Sequence, residues 1–240
     1  MNRFGRSFAS QVSSIRPARL WVMEVAGQGW PQNIQRVADI GLVTSELVTN
    51  ATEHGNGADL AIAIDTSERH LTLTVTSGRK QTFPVVSDPS PDSSAGRGLH
   101  IVSNLSQSFA VESDTGFVRV SVGFEMADEQ SGASFKGMGS PETLTIGSQD
   151  GTLALSGELD ASSAALCQAA LEAMQPTDGQ ALVDVSGITF IDSTGLRVFV
   201  KAHQRAESGS VKLVLLNASP TVLRLMEITG LIDYLHFATS

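Results

Sequence analysis

Residues 125–141 read EMADEQSGASFKGMGSP, with three glycines, three serines and no apolar periodicity. Such a stretch has nothing to bury, so it divides the chain into two segments that must each build their own core. The reading places an N-terminal domain over residues 1–125, a linker over 126–140 and a C-terminal domain over 141–240. The patterns on the two sides differ. On the N-terminal side, helices are expected near residues 17–27 and 32–54. In the second, Val37, Ile40, Thr44, Leu47 and Ala51 recur at three- and four-residue steps, the spacing of one buried stripe. Alternating segments at 60–64 and 71–75 follow, then a Pro/Ser/Asp-rich loop over 84–95, a short helix near Leu99 and a strand over 117–124. Helices beside an antiparallel sheet make an α+β layer fold. The C-terminal side alternates strands (143–146, 152–156, 181–185, 211–216) with helices (162–174, 194–207, 220–229), the order of an α/β fold with a mixed sheet.

Charge narrows the function. Lys plus Arg is 16 against 25 Asp plus Glu, a formal charge of −9. With no basic run, direct nucleic-acid binding is disfavoured, and an effect on transcription would pass through another protein. The single cysteine, Cys167, excludes internal disulfides and reads as a small buried hydrophobe. No run approaches the roughly 18 apolar residues of a membrane span, and the first 20 residues lack the apolar core of a secretion signal. A cytoplasmic protein is expected.

Two constellations carry chemistry. Glu46, Asn50 and His54 stand four apart and share one side of the long helix, flanking its buried stripe. An amide oxygen such as that of Asn50 is a hard ligand suited to Mg²⁺, and a carboxylate one turn away suits the orientation of a hydroxyl for phosphoryl transfer. Further on, Gly96-Arg97-Gly98-Leu99 precedes a helix, where backbone N–H groups can face a phosphate. Each piece alone also fits a solvated helix edge or a turn.

Taken in order, Ser45-Glu-Leu-Val-Thr-Asn-Ala51 with Glu53-His54-Gly55 resembles the N box of the GHKL ATPases, and Gly96-Arg-Gly-Leu99 resembles their glycine box. With Pro17-Ala-Arg19 upstream, the likeness is greatest to the anti-sigma factor serine kinases, over most of residues 15–124. The resemblance implies an ATPase-like α/β sandwich. It makes Glu46 the general base, Asn50 the Mg²⁺ ligand, and Gly96, Arg97, Gly98 and Leu99 the phosphate contact of an ATP site. Those families carry an Asp-x-Gly motif whose Asp bonds the adenine amino group. Here the run is Val75-Thr76-Ser77-Gly78, which sets Thr76 and Gly78 at the motif's Asp and Gly. A neutral hydroxyl gives up a charge-assisted bond of about 1.5–3 kcal/mol.

In the C-terminal half, LVDVSGITFIDSTGL (182–196) reads as a buried strand, a short loop and a helix start, with Asp192 or Ser193 at the cap. Together with the turn Gly157-Glu-Leu-Asp160 it resembles the STAS domain of anti-sigma factor antagonists over residues 142–238. The resemblance implies that Ser193 is the phosphorylated serine, with Thr194 a weaker candidate. The partners it implies are an anti-sigma factor or sigma factor, a PP2C-type phosphatase and a second copy of the chain, with neither nucleic acid nor membrane. The expected function is a partner-switching regulator fused to an ATP-binding domain. The alternative is an ATP-dependent protein-serine kinase acting on a STAS domain in cis or trans, and a third class is a scaffold in which neither half switches.

Overall fold

A computed structural model of the chain describes residues 1–79, 97–126 and 142–239. They fall into two compact units, the first drawn from residues 1–79 and 98–126 and the second from residue 97 and residues 142–239. Each is described by itself.

The first unit is organised by its apolar stripe. Asn33 accepts a bond from the backbone N of Arg36 and so caps α2 (Ile34–His54), satisfying one of the helix's orphan donors. In the stripe of α2, Val37, Ile40, Thr44 and Leu47 are fully or almost fully buried and Ala51 is half-buried. The stripe packs beside α1 (Ile15–Gly29). The helices cover one face of a five-stranded antiparallel sheet built from β1 (Asn2–Phe8), β2 (Leu60–Thr66), β3 (His70–Gly78), β4 (Ser108–Ser113) and β5 (Phe117–Glu125). The strand order is β1-β2-β3-β5-β4. Leu60, Ile62 and Ile64 of β2 and Leu71, Leu73 and Val75 of β3 all turn to the helices, each burial worth about 1.5–3 kcal/mol. The helix α3 (Arg97–Leu105) adds Ile101, Val102 and Leu105 to this core. Strands β1 and β4 escape a reading by pattern because they are edge strands, almost wholly exposed, with no buried face to impose alternation.

The second unit is a mixed sheet in the order β10-β9-β8-β7-β6. Strands β6 (Thr145–Gln149) and β7 (Thr152–Leu159) pair antiparallel, whereas β7, β8 (Gln180–Ile191), β9 (Lys212–Leu216) and β10 (His236–Ala238) run parallel. Helices α4 (Ala164–Ala173), α5 (Ser193–Ser208) and α6 (Pro220–Ile228) make the crossovers that parallel neighbours require. The core runs through Leu155, Val183, Val185, Phe199, Leu215 and Met226. Gly157-Glu-Leu-Asp160 differs from the expected turn: Gly157 to Leu159 still belong to β7, with a shift of register against β8 at Gly157/Glu158. The glycine there has φ +100°, and a Cβ would stand 2.6 Å from the carbonyl oxygen of Thr143. A glycine that marks a turn by composition here marks a bulge. No helix among the described residues is long and apolar enough to cross a membrane.

Candidate functional site

In the first unit, α2, β3, α3, β4 and β5 enclose a cavity lined by residues that include Asn50, His54, Ser77, Gly78 and Leu99. The three residues read as one side of α2 experience a gradient along it. Glu46 is 2% exposed, Asn50 is half-buried and His54 is exposed. Asn50 and His54 reach the cavity, and Glu46 is not among its lining residues. Glu46 stands between Leu47, which lines the cavity, and Ser45, whose hydroxyl receives a bond of 3.3 Å from the fully buried guanidinium of Arg19.

The adenine-contact reading shifts by one residue. Strand β3 continues to Gly78, so its alternation carries Leu71, Leu73, Val75 and Ser77 to the helix side. Thr76 lies on the other face, where it lines a shallow concavity with Arg3, Arg6 and Arg119. The hydroxyl at the cavity is therefore that of Ser77. Gly78 holds the site's edge, accepting at its carbonyl the backbone N–H of Asn56 just beyond α2. Arg97 and Gly98 open α3 and Leu99 lines the cavity, while Gly96 lies outside the described residues.

A Mg-nucleotide needs an oxygen for the metal, donors for its phosphates and a partner for the base edge. Asn50 suits the first: Nδ2 is enclosed with no hydrogen-bond partner among the described residues, and a flip exchanges its O and N. For the second, the first turn of α3 reaches the cavity at Leu99, whereas Arg97 and Gly98 are not among its described lining residues. The third is met by neutral Ser77. The polar groups fit the ligand, with one change of chemistry at the base edge. The cavity, at 60 Å³, is far below the roughly 300–1,000 Å³ of a drug-sized site. A nucleotide enters only if its walls part, and Phe109 and Val111 on β4 are the exposed ones.

In the second unit, the first turn of α5 forms the other site. Asp192, in extended conformation, is the cap: its Oδ1 accepts from the backbone N of Thr194 at 2.9 Å and of Gly195 at 3.0 Å. Ser193 is the first helical residue and is 8% exposed. Parallel pairing of Leu159 with Ile191 brings Asp160 beside Asp192 at the ends of β7 and β8, and both acids are buried. The loop of Asp160 is locked. Its Oδ1 accepts from the backbone N of Ser162, and Ser163 Oγ bridges the carbonyl of Glu158 and the N–H of Asp160. Gly195 lets the helix start this close to the strands, since a Cβ there would lie 2.4 Å from the carbonyl oxygen of Leu159.

A family model described as "Mlab, STAS domain" matches residues 142–236, and one for a histidine kinase-like ATPase domain matches residues 8–122. Two proteins named anti-sigma-B factor antagonist, from Listeria monocytogenes and Listeria innocua, are each 41% identical over 80 residues, or 33% of this chain and 70% of the relative. The chain belongs to the anti-sigma factor antagonist family. Unlike an isolated STAS domain, this antagonist carries an ATPase-like domain on the same chain. Among solved structures, that of the anti-sigma factor antagonist SpoIIAA in its unphosphorylated form matches this antagonist at 22% identity. It covers 41% of this chain and 90% of that one, with a TM-score of 0.33.

Proposed function

We propose that the protein is a partner-switching regulator of sigma factor activity whose switch is Ser193. Unmodified, the second unit docks on an anti-sigma factor through the surface around the first turn of α5 and thereby frees a sigma factor. Phosphorylated, it does not. The observation that carries this is the company Ser193 keeps. A phosphate brings about −1.5 to −2 charges to a nearly buried position next to buried Asp192, beside which the pairing of β7 with β8 sets buried Asp160. The nearest helix N–H groups already serve Asp192. The helix dipole favours the added anion, but the spoken-for donors and two like charges oppose it. The charge is pushed outward to the docking surface, where desolvation and repulsion block a partner. On this reading the domains span residues 1–125 and 141–240, a PP2C-type phosphatase resets the switch, and the protein works in the cytoplasm. The test is pull-down of an anti-sigma factor. Ser193→Ala should bind at least as well as the wild type and Ser193→Asp at least tenfold more weakly. Equal binding by both would sink the reading.

The amide of Asn50, whose Nδ2 has no hydrogen-bond partner among the described residues, favours a second activity, ATP-dependent phosphorylation of a STAS serine. Bound MgATP would supply the phosphoryl group. On the protein's side, Asn50 would hold the metal, the start of α3 would face the phosphates, and Glu46, buried next to the cavity-lining Leu47, would take the serine proton as ADP leaves once the walls part. Incubation with MgATP followed by mass spectrometry of Ser193 separates the two readings. Phosphate gained by the wild type and lost in Glu46→Gln supports the kinase. No phosphate in either refutes it and leaves the antagonist reading standing.

A further inference from the structure

The base edge of the first unit's cavity has a chemistry that an acidic residue would not give it. Strand alternation directs Ser77, 9% exposed, into the cavity and turns Thr76 away. None of the described residues lining the cavity is an Asp or Glu, and the polar ones beside Ser77 are Asn50 and His54. The remaining walls, among them Leu47, Val75, Leu99 and Val118, are apolar and meet the faces of any flat ring alike.

An ionised carboxylate only accepts hydrogen bonds. Set against a purine, it attracts the amino group of adenine and opposes the keto oxygen that guanine carries in the corresponding place. Sites built around one such polar partner reject the wrong analogue by up to about 10⁴–10⁵. A serine hydroxyl rotates, and it donates or accepts as the ligand requires. We propose that Ser77 makes the site accept adenine and guanine nucleotides alike, so that the ligand class is purine nucleoside triphosphates rather than ATP alone. The proposal rests on the nucleotide-binding reading above and deepens it.

Calorimetric titration of the full chain with MgATP and with MgGTP tests it. The two dissociation constants should agree within tenfold. Ser77→Asp should tighten MgATP by at least tenfold, the scale of one charge-assisted bond, and weaken MgGTP. Thr76→Asp, on the opposite face, should leave the ratio unchanged. Tryptophan fluorescence from Trp21 and Trp30, both in the first unit, confirms that each variant folds. A wild-type preference for MgATP beyond tenfold overturns the proposal and leaves nucleotide binding intact. So does a preference created by Thr76→Asp and not by Ser77→Asp. If neither nucleotide binds the wild type, the proposal falls together with the reading beneath it.

Discussion

Gly195→Ala sets two physical effects in opposition at the start of α5. By helix propensity alone the change should stabilise, because alanine is better than glycine in a helix by about 1 kcal/mol. The structure reverses that sign. The new Cβ would stand 2.4 Å from the Leu159 carbonyl oxygen, 2.8 Å from Leu159 Cγ and 3.0 Å from Ile191 Cγ1. The nearest of these is backbone at the end of β7 and cannot rotate aside. Overpacking of this kind costs about 1–3 kcal/mol and sometimes more, and the crowding from two strands argues for the upper part. After the propensity gain, a net loss of about 1–2 kcal/mol remains, or a melting point lower by roughly 5–10 °C for a unit of this size. The two units can be followed separately. Both tryptophans lie in the first, whereas the only tyrosine, Tyr234, lies in the second. Thermal unfolding of the full chain by tyrosine absorbance should shift, while the tryptophan transition stays in place. A tyrosine transition that is unmoved or raised would refute the close approach of α5 to β7.

Three further outcomes are expected. Asp192→Ala removes the cap of α5 and should cost the second unit about 0.5–2 kcal/mol, with faster hydrogen exchange at the amides of Thr194 and Gly195. Cys167 is fully buried, and burial pushes its thiol up to about 12. In the unfolded chain it ionises near its ordinary value of 9.0, so its contribution is intact below pH 9 and is lost as pH rises toward 12. The folded protein should therefore resist iodoacetamide at pH 8 and react promptly in urea. At Asp184, burial raises the carboxyl, but hydrogen bonds from Ser186 and Asn217 outweigh it and hold the group below the usual carboxylate range. Its stabilisation is present above the unfolded value near 3.8 and is lost as pH falls through the lower folded one. Asn217→Ala should move the midpoint of acid unfolding of the second unit upward.

Elements with one buried face were legible in the sequence. The stripe of α2, the alternation of β2 and β3 and the strand-helix order of the second unit all follow from apolar period. Edge strands β1 and β4, and the three-residue β10, have little buried surface and so little pattern. Alternation followed only to Val75 leaves Thr76 as the hydroxyl next in line. Carried one period further, it reaches Ser77. At α5, Asp192 and Ser193 were equivalent as caps by composition. Only the backbone decides, by aiming two N–H groups at Asp192. Proximity of Asp160 to Asp192 depends on the pairing of β7 with β8, a long-range register that local pattern does not carry.

The bulge at Gly157 also has a mechanical consequence. The carbonyl of Glu142, among the first described residues of the second unit, accepts the backbone N–H of Glu158 at 3.2 Å, and Thr143 lies over the space that a side chain at 157 would fill. A pull on the chain entering this unit is therefore first borne two residues from Asp160. A tether anchored there loads the strand end beside Asp160 before it strains the rest of the sheet. A version of the second unit cut to begin at Thr145 would lose that anchor and leave the strand end uncovered.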